Sequence, residues 1–426
     1  MVVLNRDWSP FVVSAPGKVI LFGEHAVVYG KAAIAGSLDM RAYALVTPRT
    51  DGKARMVLPD IGVDILFDCQ TLPRLSSADL AHPSDVEALV PSTISIPEGP
   101  GRTTVLTFVY LYGCIFTEPS GSAGGFTLCV RSLLPVGAGL GSSAAFNVVL
   151  SATLLQLTGQ LQAEGASASD LKLINQWAFH GEQVAHGTPS GIDNSVSTYG
   201  GFLKYTKGEP SVSLESSHAL RVLITNTNVP KSTKALVAGV RALRSQYPSV
   251  VDGILDSIHS ISTSAATLFQ TNDSEACSTA ALEQQMQDII RINHGLLSTL
   301  GVSHASLERV RAITAAHSLA SKLTGAGGGG CALTLIPHGT ADGTVAKVAR
   351  ELEAEGFNCY QTVVGGGGVS IVRSANGNGT VEQWLDGVAD QLAASPVDDA
   401  DAHSNAVASF ATLPASAITV LKPRSE

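Results

Sequence analysis

The N-terminal part of the chain alternates between short apolar runs and glycine or proline, a pattern that predicts β-strands joined by tight turns. Residues 11–14 and 18–22 form two such runs, separated by Pro16 and Gly17. The stretch "ARMVLPDIGVDILF" alternates like a further pair of strands. Residues 70–102 are richer in Ser, Pro and Asp, so they predict an irregular insertion.

Longer apolar patterns follow and predict helices and buried strands. "TVLTFVYLYGCIF" suits a buried helix or strand, and "GFTLCVRSLLPVG" suits a strand that leads into a glycine-rich loop. Apolar residues recur at helical spacing in "SAAFNVVLSATLLQLTGQL", and a second helix is predicted over "ASDLKLINQWAFHGEQVAHG".

The second half of the chain is richer in helical patterns. "LRVLITNTNVPKSTKALVAGVRALRSQYP" predicts a strand, a loop and a helix, and a later helix is predicted over residues 344–355. We therefore predict an α+β fold with an N-terminal domain (1–220) and a helix-rich α+β C-terminal domain (221–390). Residues 391–426 are rich in Ala, Ser and Asp, which predicts a loose tail.

Composition narrows the class of protein. Hydrophobic residues make up 45% of the 426 residues and charged residues 15%, which indicates a compact globular protein. A formal net charge of -9 argues against a nucleic-acid-binding surface. No apolar run reaches membrane-spanning length, and no secretory signal is apparent. The six scattered cysteines lack metal-ligand spacing, so we expect reduced thiols and a cytoplasmic protein without a membrane partner.

The stretch "PVGAGLGSSAAF" places three glycines and two serines directly before a helical pattern. A helix N-terminus attracts phosphate, and glycine lets backbone amides approach its oxygens. The alternative is a flexible turn that ends in a serine cap. The loop lacks the lysine and the spacing of a Walker A motif.

A second glycine cluster, "GAGGGG" at residues 325–330, nominally satisfies G-x-G-x-x-G. It precedes a predicted strand and does not open a helix, so a Rossmann dinucleotide site is not expected. The two clusters can approach one ligand from different domains, although a tight turn remains the alternative for the second.

Two carboxylates lie close together in "GEQVAHGTPSGIDNSVSTYGG". Glu182 falls late in a predicted helix and Asp193 follows a Pro-Ser-Gly turn, which suits a metal ligand and a general base. The alternative readings are a solvated helix face for Glu182 and a helix cap for Asp193. His186 is expected to be a structural residue near a helix end.

Cationic and hydroxyl side chains complete the inventory. "SAPGKVILFGEH" supplies Lys18, Glu24 and His25, and "NVPKSTKAL" supplies Lys231 and Thr233 at a helix start. Phosphoryl transfer requires backbone amides around phosphate, oxygen ligands for Mg²⁺, a cation and a group that orients or deprotonates a hydroxyl. The combined pattern therefore favours a phosphotransferase.

Five stretches carry a resemblance to a known family: "SAPGKVILFGEHAVVYGK", "PVGAGLGSSAA", "GEQVAHGTPSGIDNSVSTYGG", "TNTNVPKSTKALVAGVR" and "SKLTGAGGGGCALTL". In this order they closely resemble the motifs of the mevalonate kinase family, within the GHMP kinase superfamily. The resemblance covers about residues 10–390. The glycine loops alone identify only the superfamily, whereas "GEHAVVYGK", "HGTPSGIDN" and "VPKSTKAL" are more specific.

The resemblance implies a two-domain GHMP kinase fold with a ribosomal-S5-like N-terminal domain and an active site between the domains. It implies ATP-dependent phosphorylation of the 5-hydroxyl of mevalonate in isoprenoid and sterol precursor synthesis. The implied ligands are ATP, Mg²⁺ and mevalonate as the small-molecule substrate, and a homodimer is possible because family members are often dimeric.

The resemblance also implies residue roles. Asp193 is the expected catalytic base, Lys18 lies beside the reacting groups, and Ser143 and Glu182 are expected Mg²⁺ ligands. The expected mevalonate contacts are Glu24, His25, Asp193, Lys231 and Thr233. The expected nucleotide contacts are Lys18, Ser132, Gly137, Ala138, Gly139, Leu140, Gly141, Ser142 and Ser143.

Two positions depart from the family pattern. Asp60 stands in "LPDIG" where animal members have Asn near the nucleotide, and Lys231 stands where many members have Arg. Lysine offers a point charge in place of a bidentate phosphate contact.

Competing functions are another GHMP kinase (acting on phosphomevalonate, galactose or homoserine) and a non-catalytic sensor with the same fold. A phosphomevalonate kinase would need additional cations around the substrate, and the motifs offer no obvious surplus beside Lys18. A sensor would be favoured by loss of Asp193 or Lys18, and both are present.

Overall fold

The computed structural model describes residues 9–75, 83–116, 125–135, 137–162, 166–214, 219–270 and 279–373. Strands and helices are mixed along these residues, which confirms the α+β class. The strands are β1 (Phe11–Phe22), β2 (Ala33–Arg49), β3 (Lys53–Leu58), β4 (Val63–Asp68), β5 (Gly125–Ser132), β6 (Phe202–Tyr205), β7 (Val212–Leu214), β8 (Leu220–Asn226), β9 (Ser321–Leu323), β10 (Cys331–Leu335), β11 (Asn358–Val364) and β12 (Ser370–Arg373).

The helices follow the predicted apolar patterns closely. "TVLTFVYLYGCIF", for which a strand was also open, belongs to a helix that begins after Gly99 with proline at its first turn. The predicted helix over residues 344–355 runs from Asp342 to Ala354. The helices are α1 (Pro100–Ile115), α2 (Ser142–Leu157), α3 (Ala168–His186), α4 (Ile192–Tyr199), α5 (Thr233–Gln246), α6 (Pro248–Gln270), α7 (Thr279–Thr299), α8 (Ala305–Ala316) and α9 (Asp342–Ala354).

The described strands form one sheet in the order β4-β3-β5-β2-β11-β8-β10-β9, while β1 and β6 also pair with β2. β12 pairs with β1 and β7 with β6. The β3–β5 pair is parallel, and the other strand pairs are antiparallel. The domain boundary predicted near residue 220 stays a prediction, since the sheet continues through β8, which begins at Leu220.

The prediction of two separate runs in the first strand is wrong. Residues 11–22 form the single strand β1, which pairs with β2 along its length. Its register against β2 shifts between Pro16 and Gly17, because proline cannot donate a ladder hydrogen bond and the pair accommodates it as an irregularity. Lys18 therefore lies in β1 directly after this register shift.

Two large apolar cores lie against this sheet. The larger one joins β1, β2, β3 and β5 to helices α1, α2 and α3, and it includes Phe67, Phe108, Tyr112 and Phe126. The second lies beneath the helices of the C-terminal half and includes Leu255, Ile258, Leu297 and Val310. The first core supports the N-terminal half of α2, while Ile192 and Val196 of α4 pack with Ala35 and Leu203 in a separate small cluster.

Several negative predictions can be checked on the described residues alone. None of their helices is both long and apolar enough to cross a bilayer. The five described cysteines are free thiols, four of them buried, whereas Cys277 lies outside the described ranges. Part of the predicted insertion (residues 76–82) and the whole predicted tail (391–426) also lie outside the described residues.

Candidate active site

A cleft of about 700 Å³ lies where the N-terminus of α2 meets β1, α3 and α4. One part of its lining is polar and the other is apolar, as expected of a site that binds a charged ligand with a flat organic portion. The polar lining includes Lys18, Ser142, Ser143, Glu182, His186, Asp193 and Thr233. The apolar lining includes Leu58, Ile61, Val130, Leu134 and Phe146.

The first glycine loop leads directly into α2, as the sequence predicts. Gly141 is the N-cap residue with φ 80°, and no side chain caps the helix. The loop is anchored to β1 because the backbone N–H of Lys18 donates to Leu140 O at 2.8 Å. The first-turn amides of α2 therefore lie uncapped beside the cleft, an arrangement that attracts an anion.

Lys18 and Asp193 form an ion pair in the cleft. Lys18 Nζ lies 3.2 Å from Asp193 Oδ2, and the two side chains are 12% and 36% exposed. The alternative reading of Asp193 as a helix cap is wrong, because Gly191 is the N-cap of α4 and Asp193 lies in its first turn. Ser197 Oγ donates to Pro16 O at 2.6 Å and so holds α4 against β1.

Glu182 is buried in the cleft wall, so the alternative of a solvated helix face is wrong. Its residue is 4% exposed, and its Oε1 accepts from Ser143 Oγ at 2.8 Å and from Asn147 Nδ2 at 2.6 Å. Burial raises the pKa of Glu182, while the hydrogen bond from Ser143 and the nearby His186 oppose the rise. His186, the last residue of α3, lines the cleft, and its Nε2 lies 3.3 Å from Ser143 Oγ.

The adjacent oxygens of Ser143 and Glu182 fit a Mg²⁺ ion. Mg²⁺ prefers hard oxygen ligands and commonly takes only one or two protein carboxylates, with phosphate oxygens and water completing its shell. Within the described residues no cluster of three or more acidic, histidine or cysteine side chains offers a self-sufficient metal cage. The donor set therefore suits a metal that arrives with a phosphate ligand.

Asp60 and Ser132 lie on the cleft wall and are linked to each other. Asp60 accepts from Arg131 Nε and from the backbone N–H of Ser132, both at 2.8 Å. Arg131 was not singled out from the sequence, and only the parallel pairing of β3 with β5 brings it near Asp60. Two hydrogen bonds therefore hold the carboxylate of Asp60, the residue that departs from the family pattern.

Three residues expected to bind substrate lie outside the cleft lining. Glu24 and His25 are buried, and His25 Nε2 lies 2.8 Å from Ala326 O. Lys231 is half-buried and lies close to both glycine loops. Burial lowers the pKa of Lys231, and the charge of Lys18 lowers it further. Their direct contact with substrate stays a prediction.

The two glycine clusters do approach each other. A Cβ atom on Gly139 would lie 3.1 Å from Lys231 Nζ, and one on Gly330 would lie 2.5 Å from the same atom. Residues 325–330 connect the antiparallel strands β9 and β10, so a Rossmann turn is excluded and the tight-turn reading is correct for the local backbone. Lys231 thus lies between the two loops.

Some lining residues were missed in the sequence. Asn147 and Phe146 belong to α2, and Thr103, Thr104 and Thr107 line the cleft from α1. Asn147 had a signal, since it is an amide flanked by apolar residues near the start of a helical pattern. The threonines had none, because β-branched residues are common in apolar stretches.

Gly139→Val is expected to weaken ATP binding by roughly tenfold. Gly139 has φ 83°, and a residue with a side chain in this left-handed region costs about 1–2 kcal/mol. The valine would therefore favour other conformations of the loop, and ATP binding would have to restore the strained one, which lowers the affinity. Calorimetric titration with a non-hydrolysable ATP analogue measures the change. Gly52→Val is the matched control, since Gly52 has φ 71°, open space around it and no place in the cleft lining. Unchanged affinity in folded Gly139→Val would identify the loop as a simple turn.

Two family models match one stretch in each half of the chain. The model of the GHMP kinases N-terminal domain matches residues 108–201, and the GHMP kinases C-terminal model matches residues 279–356. The first match contains α2, Glu182 and Asp193.

Individual proteins give a more specific relationship. The chain is 42% identical over 400 residues to mevalonate kinase of Mus musculus, covering 88% of this chain and 98% of that protein. It is 41% identical over 399 residues to mevalonate kinase of Homo sapiens, with the same coverage. The solved structure of Methanococcus jannaschii mevalonate kinase superimposes with a TM-score of 0.62 at 21% identity, covering 85% of this chain and 98% of that one. The structural likeness shows the fold, and the sequence identity shows the family.

Proposed function

This chain belongs to the mevalonate kinase family of GHMP kinases, and from that premise we propose that it transfers a phosphoryl group from ATP to the 5-hydroxyl of mevalonate. The product is 5-phosphomevalonate, a precursor of isoprenoids and sterols. The observation that carries the proposal is the Lys18–Asp193 pair, 3.2 Å apart, beside an uncapped helix N-terminus. A hydroxyl that binds Asp193 lies next to a cation and to amides that favour phosphate.

The proposed reaction needs little covalent chemistry from the protein. Asp193 accepts the proton of the 5-hydroxyl, whose oxygen forms a bond to the terminal phosphorus of ATP as the bond between that phosphorus and ADP breaks. Lys18 stabilises the charge that develops on the transferred group, and the first-turn amides of α2 hold the remaining phosphates. Thr233 at the start of α5 lines the cleft and is the proposed hydroxyl contact for the transferred group.

Ser143 and Glu182 are the proposed protein ligands of Mg²⁺. Bound there, the ion would neutralise part of the phosphate charge. Asn147 donates a hydrogen bond to Glu182 Oε1. The other carboxylate oxygen, Oε2, does not accept this hydrogen bond. A cytoplasmic location and a homodimer remain predictions from composition and family resemblance.

Another GHMP kinase activity is not favoured. Lys18 is the lysine that lines the cleft, whereas Lys231 does not line it. Among the described residues, the polar part of the lining therefore has no cationic cluster that could bind the phosphate group of phosphomevalonate. Both Lys18 and Asp193 are present and paired, which disfavours a sensor without turnover.

The function is tested by measuring ATP turnover with mevalonate, phosphomevalonate, galactose and homoserine, each with Mg²⁺ and with EDTA. We expect kcat/KM for mevalonate to exceed the others by at least about a hundredfold, because a site that hydrogen-bonds one substrate rejects analogues that leave those groups unpaired. We expect EDTA to abolish turnover. Preference for another substrate, or nucleotide binding without turnover, would overturn the proposal.

A further inference from the structure

A fully buried ion pair, whose residues do not line the cleft, is not used in the proposed reaction. Glu24, which follows β1, pairs through Oε1 with Lys322 Nζ of β9, and the two residues are 3% and 1% exposed. Glu24 Oε2 accepts from Asn293 Nδ2 of α7 at 3.1 Å, and Lys322 Nζ also donates to Leu323 O at 2.7 Å. We call Glu24, Lys322 and Asn293 the buried cluster.

Stability alone does not explain the buried cluster. Burial raises the pKa of Glu24 and lowers the pKa of Lys322, because each charge has lost its water, and each partner opposes the shift of the other. Apolar side chains of similar volume often give equal or greater stability than such a pair. A geometric role is the better explanation, since an ion pair and its hydrogen bonds specify one arrangement of the chain.

The buried cluster joins two segments that are 298 positions apart in sequence. The end of β1 is held to residues 322–326 by two further contacts. Thr324 Oγ1 donates to Ile20 O at 2.9 Å, and His25 Nε2 lies 2.8 Å from Ala326 O. Since a carbonyl oxygen only accepts, His25 Nε2 carries the proton in this contact.

The same strand reaches the reacting groups. Lys18 belongs to β1, its backbone N–H holds the first glycine loop at Leu140, and its ammonium pairs with Asp193. Just after the other end of the strand, Glu24 pairs with Lys322, which precedes residues 324–330, the loop that approaches Lys231. β1 and the residues that directly follow it therefore contact the first glycine loop through Lys18 and the segment before the second glycine loop through Glu24.

We propose that Glu24, Lys322 and Asn293 are positioning residues, which hold residues 324–330 and His25 in the arrangement that binds substrate. Glu24 then acts on substrate binding through Lys322 and without touching the substrate. The inference rests on the proposed function for its kinetic readout. It goes beyond that function because it gives Lys322 and Asn293 a role and reassigns Glu24.

The test replaces both charges together by neutral side chains of similar size. We expect the double variant Glu24→Gln/Lys322→Met to fold and to raise KM for mevalonate by about tenfold, the equivalent of one lost hydrogen bond. Its kcat should change less than threefold, since Lys18 and Asp193 keep their positions. In a His25→Ala background the double replacement should add little, because residues that act through one another are not additive. The matched control is Arg309→Met/Glu355→Gln, an exposed ion pair away from the cleft, which should leave KM unchanged.

A second readout does not depend on the reaction. Amide hydrogen exchange of residues 324–330 should be faster in the double variant and unchanged in the control. If the wild type fails to phosphorylate mevalonate, the proposed function fails, and the exchange measurement still decides whether the cluster holds the loop. If the double variant does not fold, Asn293→Leu removes one contact and keeps both charges, and a smaller increase in KM and exchange is expected.

Three results would overturn the inference. The first is unchanged KM and exchange in the folded double variant, or in Asn293→Leu when that variant is needed. The second is a rise in KM from Glu24→Gln with none from Lys322→Met, which would indicate direct contact between Glu24 and substrate. The third is an increase in KM from the double replacement that is as large in the His25→Ala background as in the wild type.

Discussion

Replacing Asp193 by Asn should lower kcat by about 10²–10⁴-fold while ATP and mevalonate still bind, because the change keeps the shape and removes the charge that accepts the proton. Asp193 lies in the first turn of α4, which the Ser197–Pro16 hydrogen bond holds against β1, so the backbone should stay in place. The lost interaction matters chiefly in the transition state, so KM should change far less than kcat. Steady-state kinetics and calorimetric binding of both substrates provide the measurement.

The second carboxylate supplies the control for this result. Glu182→Gln should raise the Mg²⁺ requirement, with activity partly restored at high Mg²⁺, because Glu182 is a proposed metal ligand. Excess Mg²⁺ should not restore Asp193→Asn. If Asp193→Asn keeps more than about a tenth of the normal kcat, far above the range for loss of a general base, Asp193 is not the base. Lys18 would then be the main candidate for activating the hydroxyl.

Replacing Lys18 by Met should lower kcat by about 10²–10³-fold, the loss typical when one donor that stabilises transition-state charge is removed. The Lys18 side chain is only 12% exposed and lies 3.2 Å from Asp193, so water does not readily take its place. The backbone N–H that holds Leu140 O is retained in the variant, so the glycine loop should keep its conformation. Single-turnover measurement of phosphoryl transfer at saturating ATP and mevalonate isolates the chemical step.

Lys347→Met is the matched control for the loss of Lys18, since Lys347 is an exposed lysine of α9 that does not line the cleft. It should behave like the wild type. A Lys18→Met enzyme that folds and transfers phosphoryl groups within tenfold of the wild-type rate would show that the ammonium is not needed in the transition state. The catalytic role of the ion pair would then belong to Asp193 alone.

Local features of the site were predictable because their causes are local. The start of α2 at Ser142 follows from glycines that place amides at a helix N-terminus, and the β3–β4 pair follows from alternation around a turn. Lys18 and Asp193 could be named as candidates, although from residue types alone the cap reading of Asp193 was the preferred one. The site residues could be listed more easily than their roles could be chosen.

The failures concern burial and pairing over long distances. Glu182 on a helix gives no local sign of whether its face meets solvent or the wall of a cleft, and only the packing of α3 on α2 buries it beside Ser143. Arg131 and Asp60 lie 71 positions apart and meet because β5 runs beside β2 and β3. The substrate contact expected of Glu24 stays a prediction, and nothing in the sequence indicated that its carboxylate accepts from Lys322 and Asn293.

The sequence by itself determined the α+β class, the two glycine loops, the helix N-terminus that favours phosphate and the family to which the chain belongs. These depend on periodicity, turn residues and motifs that extend over a few neighbouring positions. The tertiary structure alone decided that Lys18 pairs with Asp193, that Glu182 is buried and that Lys322 joins Glu24 across 298 positions. Such contacts depend on strand register and helix packing, in which a shift of one residue reverses the face that a side chain occupies.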